Sequence, residues 1–309
     1  MSLLNQPHFQ DADKAREYLE SLRWPNGPIC PHCGTIGQHW KLEGESHRPG
    51  LWKCSANACR QQFSVTVGTV FERSKIAINV WLQAAYLMAS SKKGISAHQL
   101  HRTLGVTYKT AWFMAHRIRE AMKGGSVFGP LGGSGKTIEA DETYWGQKEG
   151  KRRNKRGPHH KNAIFALVER KGMVRAFHVP TVNGDTLRPI LRKHASHLST
   201  VYTDESKAYT HLNRDFYEHD TVAHSRGEYA RGPVSTNAVE GYFSILKRGL
   251  IGTYHHVSEA HLQRYVSEFD FRYNNRTAMG VNDTQRANAV LKEIGGKRLT
   301  YRRTNEAAQ

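Results

Sequence analysis

Acid is scarce in this sequence. Its 27 Asp and Glu face 45 Lys and Arg, a formal charge of +18 over 309 residues, and that imbalance points to a polyanionic partner such as nucleic acid while saying little about fold. Long apolar runs are missing too. The most hydrophobic stretch, INVWLQAAYLMAS at 78–90, is too short to span a bilayer and is interrupted by Asn79 and Gln83. The opening MSLLNQPHFQDADKAREYLE lacks the basic, apolar, small-residue order of a secretion signal. A cytoplasmic protein without a membrane partner is expected. Cysteine is nearly absent as well: the four present all precede residue 60, which excludes a disulfide-stapled secreted chain and suits a local metal site.

What remains is informative. Cys30 and Cys33 are separated by two residues and Cys54 and Cys59 by four. This spacing makes two short knuckles whose thiolates can share one structural, tetrahedral Zn²⁺. Pro31 and Gly34 shape the first knuckle. Four thiols complete a closed site, so His32, His39 and His47 are read as surface residues.

From 76 to 122 the pattern is helical. Ser96 is placed to cap one helix, Gly105 to make a turn and Thr107 to cap a second. The second helix sets Ala111, Met114, Ala115 and Ile118 inward and leaves Tyr108, Lys109, His116, Arg117 and Arg119 partly outward. This is helix-turn-helix grammar, which makes Thr107, Tyr108, Lys109 and Arg117 candidate DNA contacts. The Gly-rich GPLGGSGKT at 129–137 is a decoy. A phosphate-binding loop would need Gly where Pro130 stands, so the segment reads as a linker.

Beyond it TIEADETYW, KNAIFALVER and GMVRAFHVP read as strands, the last two forming a hairpin at Lys171 and Gly172. A helix near 185–198, the strand TVYTDE, a strand near 220–226 and helices near 236–249 and 258–274 follow, describing a mixed sheet with helices packed on it. In the first strand alternation puts Ile138, Ala140 and Glu142 on one face and Glu139, Asp141 and Thr143 on the other. Asp204 ends an apolar strand, where α/β sheets place chemistry. Asn237, Glu240, Ser244 and Lys247 form one stripe on a helix. Taken singly, Glu139 and Glu142 are explained by surface salt bridges and Asn237 with Glu240 by capping. Taken together, Asp141, Asp204 and Glu240 are what two catalytic Mg²⁺ ions require. The basic insert GQKEGKRRNKRGPHHK at 146–161 offers Lys151, Arg152, Arg153, Lys155 and Arg156 to DNA phosphates, and Arg248 is added to that set.

The segments RWPNGPICPHCG, EADETYWG, VYTDESKAY and TNAVEGYFSILKRGLIGTYHHVSEAHLQRYVSEFDFRYNNR together resemble the DDE transposases of bacterial insertion sequences, in the group with an N-terminal zinc ribbon and an ISXO-like catalytic domain. The resemblance runs from about residue 9 to 276. It implies a ribonuclease-H-like fold for the second half, with Asp141, Asp204 and Glu240 as the metal-binding acidic triad, Lys247 on the same helix as its basic companion toward DNA, and Asn237, one turn before Glu240, as the second choice at the metal site. Some members of that group carry Asn at the third acidic position, and this chain has Glu. The activity implied is Mg²⁺-dependent DNA strand cleavage and 3′-OH strand transfer on element ends carrying terminal inverted repeats. A homo-oligomeric synaptic complex acting on target DNA at the bacterial nucleoid goes with it. A non-catalytic DNA-binding regulator is the alternative.

The expected organisation is multidomain. An N-terminal helix (1–23), a zinc ribbon (24–70) and a helix-turn-helix region (71–123) precede a linker (124–136). An α/β catalytic domain (137–276) and a tail (277–309) complete the chain.

Overall fold

The computed structural model describes residues 3–124, 129–151 and 157–300. It begins with helices α1 (Pro7–Gln10) and α2 (Ala12–Arg23), then strands β1 (His39–Leu42), β2 (Leu51–Cys54) and β3 (Gln62–Phe63). Helices α3 (Ile78–Ser90), α4 (Ala97–Leu104) and α5 (Tyr108–Met122) follow. Next come β4 (Thr137–Trp145), β5 (Asn162–Glu169), β6 (Val174–Val179), α6 (Gly184–His194), β7 (Thr200–Asp204) and β8 (Glu218–Val222). The chain continues through β9 (Ala230–Arg231), β10 (Val234–Ser235), α7 (Asn237–Gly249), α8 (Glu259–Asn274) and α9 (Asp283–Lys292). These divide into two units. The first holds the described residues up to Ser91, Ile95–Met122 and those from Asn282 onward, and the second holds Lys92–Gly94 and the described residues between Lys123 and Val281.

In the first unit Asp11 caps α2, its side chain accepting from the amides of Asp13 and Lys14, and α2 buries Ala15 and Leu19. The antiparallel β1–β2–β3 sheet pairs His39 with Cys54 and Trp52 with Phe63. The segment QFSVTVGTVF at 62–71, rich in β-branched and aromatic residues, forms only the two-residue β3 and then breaks into turns. The apolar stretch at 78–90 is the core helix α3, burying Trp81, Leu82, Ala84, Ala85, Met88 and Ala89. No helix among the described residues is long and apolar enough to cross a membrane.

Ser96 caps α4 by accepting from the Gln99 amide, and Gly105 ends it in the left-handed region at φ 65°, where a Cβ is disfavoured. Helix α5 buries Ala111, Met114, Ala115 and Ile118 as expected, but His116 and Arg119 are buried as well. Both turn inward because α5 packs against α3, α4 and α9, so more than one of its sides is covered. Helix α9 lies in the stretch expected to be tail, and it packs on α2 and α3.

In the second unit five strands run in the order β6-β5-β4-β7-β8. Strands β4, β5 and β6 are antiparallel neighbours, while β7 runs parallel to β4 and β8 parallel to β7. The hairpin turn falls at Lys171, with φ 58°. One face carries α6, whose Leu187 and Leu191 join Ile138, Ala140, Phe165 and Leu167 in a core. The other carries α7 and α8, with Val239, Tyr242, Phe243 and Leu246 against Ile164, Ala166 and Val168. This is a mixed sheet flanked by helices, consistent with the ribonuclease-H-like fold that the resemblance implies. Leu131, in the stretch expected to be a linker, is buried, and its amide donates to the His194 carbonyl at 2.8 Å.

Helix α8 seals the β6 edge in an unusual way. The amides of Val174, Ala176 and His178 donate to side chains of Asn274 (2.7 Å), Asp270 (2.9 Å) and Gln263 (2.7 Å). Asn274 Nδ2 and Gln263 Nε2 donate back to the carbonyls of Val174 and Ala176. Side chains on one helix face thus stand where a sixth strand would pair.

Candidate active site and zinc centre

The four cysteine sulfurs lie within 4.8 Å of one another, with Cys30 and Cys59 Sγ at 3.7 Å and Cys33 and Cys54 Sγ also at 3.7 Å. A tetrahedron of Zn–S bonds near 2.3 Å has edges of about 3.8 Å, so the four thiols fit one zinc ion. All four are free thiols. Cys30 and Cys54 are buried, and the Thr35 hydroxyl, 3.2 Å away, leads in drawing the Cys33 thiol down to about 6. His32 and His47 are exposed, as expected. His39 is instead half-buried, bonded to the Thr35 carbonyl and edge-on to Phe63.

The acidic site forms where β4 and β7 part. Their parallel pairing runs Thr137 with Thr200, Ile138 with Val201 and Glu139 with Tyr202, and ends there. Continued by two residues, that register sets Asp141 opposite Asp204, on the same face of neighbouring strands. Past the last pair the strands open, and Glu142 reaches the gap from the other face. Its carboxylate is held by the buried Tyr209, whose hydroxyl donates to Oε2 at 2.6 Å. Carboxylate oxygens of Asp141, Glu142 and Asp204 lie within 4.8 Å of one another.

Burial first, and the Glu142 charge second, push the Asp141 carboxyl up to about 8. Burial likewise raises Glu142 and Asp204; the Tyr209 bond opposes this at Glu142, and the Ser206 amide opposes it at Asp204. Such crowding of hard oxygen donors is relieved by a divalent cation, and the residues present fit Mg²⁺.

Asp141 and Asp204 therefore meet as the sequence predicts, with Glu142 as an unforeseen third member. Glu240 sits in the first turn of α7, near enough for its charge to raise Asp141 further, but outside the 4.8 Å cluster. Its Oε1 accepts from the Thr236 hydroxyl at 2.8 Å and faces His224 Nε2 at 3.8 Å. Glu205 fixes His224 in turn, accepting from the His224 and Ser225 amides at 2.8 Å each, and these amides help hold the Glu205 carboxyl down at about 2.

Asn237, Ser244 and Lys247 lie exposed along the Glu240 stripe. Arg248 is also exposed, its Nε donating to the Ser244 carbonyl. Glu139, expected at the surface, is 1% exposed. Its alternation with Asp141 was the available signal, but its partners lie far along the chain.

In the first unit a cleft of about 330 Å³ is lined by Arg73, Lys75, Lys109, Thr110, Phe113 and Arg117, among others. Thr107, Tyr108 and Lys109 are exposed. Arg117 is half-buried over the Phe113 ring at 4.8 Å, and burial, then the Arg298 charge, lower its pKa. Lys151 is exposed, whereas Arg152, Arg153, Lys155 and Arg156 lie outside the described residues.

Residues 130–274 match the ISXO2-like transposase domain, and residues 10–62 match the transposase zinc-ribbon domain. An uncharacterized protein in transposable element ISH50 of Halobacterium salinarum is 27% identical over 282 residues, covering 85% of this chain and 91% of the relative. An uncharacterized transposase-like protein of Haemophilus influenzae is 30% identical over 97 residues, 31% of this chain and 77% of the relative. Among solved structures, a chain of the simian T-cell lymphotropic virus intasome in complex with PP2A regulatory subunit B56 gamma matches at 15% identity and a TM-score of 0.29. That match covers 56% of this chain and 63% of the other, and the likeness carries no weight for function. With a four-cysteine ribbon followed by a mixed sheet bearing clustered acids, the chain belongs to the transposases that join a zinc ribbon to an ISXO2-like domain.

Proposed function

We propose that this chain is a DNA transposase that binds insertion-sequence ends, cuts a strand there and joins the freed 3′-OH to target DNA. The convergence of Asp141 and Asp204 at the opening between β4 and β7, inside the ISXO2-like domain, carries this reading. Asp141, Asp204 and Glu240 are the residues that would hold two Mg²⁺ ions, with Glu142 beside them and Asn237 as the second choice. Mg²⁺ bound there supplies charge that polarises a water and the scissile phosphodiester. The strands contribute rigidity, since two ligands fixed on a central sheet keep their spacing as DNA enters.

In the first reaction water oxygen attacks phosphorus and the 3′ oxygen leaves as a hydroxyl. In the second that hydroxyl attacks a target phosphodiester and displaces the target's own 3′ oxygen. No covalent bond to protein is required. Lys247, two turns beyond Glu240 on the exposed stripe, offers its charge to a neighbouring phosphate, and Arg248 to the next.

The zinc ribbon and the α4–α5 pair would bind the terminal inverted repeats, through Thr107, Tyr108 and Lys109 at the exposed start of α5. The basic cleft supports phosphate contact there, with Arg117 in its wall. Lys151, Arg152, Arg153, Lys155 and Arg156 belong to the same proposed DNA-contact set. The working assembly is a homo-oligomer on two element ends, in the bacterial cytoplasm at the nucleoid.

The test is Mg²⁺-dependent cleavage of a duplex carrying the element ends. Asp141→Asn, Asp204→Asn and Glu240→Gln should each lose more than about a hundredfold in rate while still binding the ends. A variant that still cuts removes its residue from the set. A wild-type protein that binds ends and never cuts them with Mg²⁺ is a DNA-binding regulator.

A further inference from the structure

We propose that Glu139 is a positioning residue for the cutting site: with Arg170 it clamps the first turn of α7 to β4 and so sets the spacing between Glu240 and Asp141. The inference rests on the transposase reading only in calling that spacing catalytic.

The first amides of a helix lack intrahelical partners and are usually met by a side chain at the preceding position. In α7 that residue is Thr236, which makes no such bond. Glu139 supplies it from another element. Its Oε2 accepts from the amide of Ala238 at 2.6 Å and of Val239 at 3.1 Å. A carboxylate at a helix N-terminus also sits favourably in the helix dipole.

The other oxygen, Oε1, accepts from Arg170 Nε at 2.6 Å. Arg170 then holds the approach to the helix, donating to the carbonyls of Pro233 (2.7 Å) and Ser235 (3.1 Å) and to Ser235 Oγ (2.7 Å). Its guanidinium lies 5.0 Å from the centre of the Tyr202 ring, and Tyr202 pairs with Glu139 across the sheet.

The geometry is short on both sides. Glu139 stands two residues before Asp141 on the central strand, and Ala238 stands two residues before Glu240 on α7. One buried carboxylate therefore joins the strand bearing one metal-site acid to the helix bearing another, both within a single turn or pleat of the clamp. Both Glu139 oxygens accept protein donors, which ties its carboxylate to α7 and to Arg170.

Two variants separate positioning from simple charge. Glu139→Gln removes a negative charge near the site, and Arg170→Gln removes a positive one. Coulomb's law alone makes the first weaken cation binding and the second strengthen it. The clamp predicts that both weaken it, by about tenfold, the size typical of residues that orient a ligand from behind.

The measurements use full-length, zinc-loaded protein. Mn²⁺ affinity is read by electron paramagnetic resonance, half-saturating Mg²⁺ in end cleavage is measured beside it, and amide exchange is followed at Ala238 and Val239. The expected result is weaker Mn²⁺ binding, a raised Mg²⁺ requirement and faster exchange at both amides in each variant, with partial recovery in Glu139→Asp. If Arg170→Gln binds Mn²⁺ as tightly as wild type or more so, the proposal is overturned. If Glu139→Gln does not fold, Arg170→Gln decides alone. A wild-type protein that binds Mn²⁺ but cuts no DNA, with both variants weakened, leaves the clamp standing and the transposase reading refuted. A wild-type protein that binds no Mn²⁺ overturns both.

Discussion

Asp141 carries the strongest electrostatic signature of the acidic site, and the sign of its effect on stability is definite. Its carboxyl is raised to about 8 in the folded chain, against about 3.9 when unfolded. The protonated acid therefore contributes stability that is fully present below about pH 4 and lost as pH rises through about 8. A bound Mg²⁺ reverses the penalty on the charged form. In metal-free protein the thermal midpoint should fall toward alkaline pH, and the gain on adding Mg²⁺ should be larger near about pH 9 than near about pH 6. Calorimetry of wild type beside Asp141→Asn checks this; an equal Mg²⁺ gain at both pH values in wild type refutes it.

Asp141 and Asp204 were legible in the sequence because strand alternation and a strand end are local features. Glu142 was not, because its place in the cluster depends on the strands parting after the Glu139–Tyr202 pair. Glu139 was misread for a related reason: its partners on α7 lie about a hundred residues away.

Among the elements, the β6–α8 contact makes a sharp prediction. Asn274 satisfies both the amide and the carbonyl of Val174, in buried surroundings. Asn274→Ala leaves two buried backbone groups unpaired and should cost about 2 kcal/mol or more, at roughly 1–3 kcal/mol for each group. Chemical denaturation of the variant measures it, and a stability equal to wild type would mean that water fills the place. The sequence gives the helix period of α8 plainly, and Ser96 with Gly105 marks the α4–α5 turn. It gives no hint that Gln263, Asp270 and Asn274 face a strand edge, because a polar stripe on a helix reads as solvated. The inward turn of His116 and Arg119 was hidden for the same reason: periodicity describes one covered face, and α5 is covered on several.

At the scale of the molecule, zinc and the acidic sheet belong to different units. The second unit holds no cysteine and has a core on each face of its sheet. Stripping zinc with a chelator should therefore open residues 24–70 to protease while the β4–β8 sheet stays resistant. Limited proteolysis read by mass spectrometry checks this, and cleavage spread evenly over both regions would contradict it.

The first unit also closes on itself through α9, which packs against α2 and α3 although the whole sheet-bearing unit separates them in the chain. On the ribosome, then, α3 emerges many seconds before the helix that covers it. Its apolar flank must wait, so a nascent chain cut short by a frameshift ahead of Asp283 would keep its acidic cluster yet leave the ribbon-bearing part unfinished.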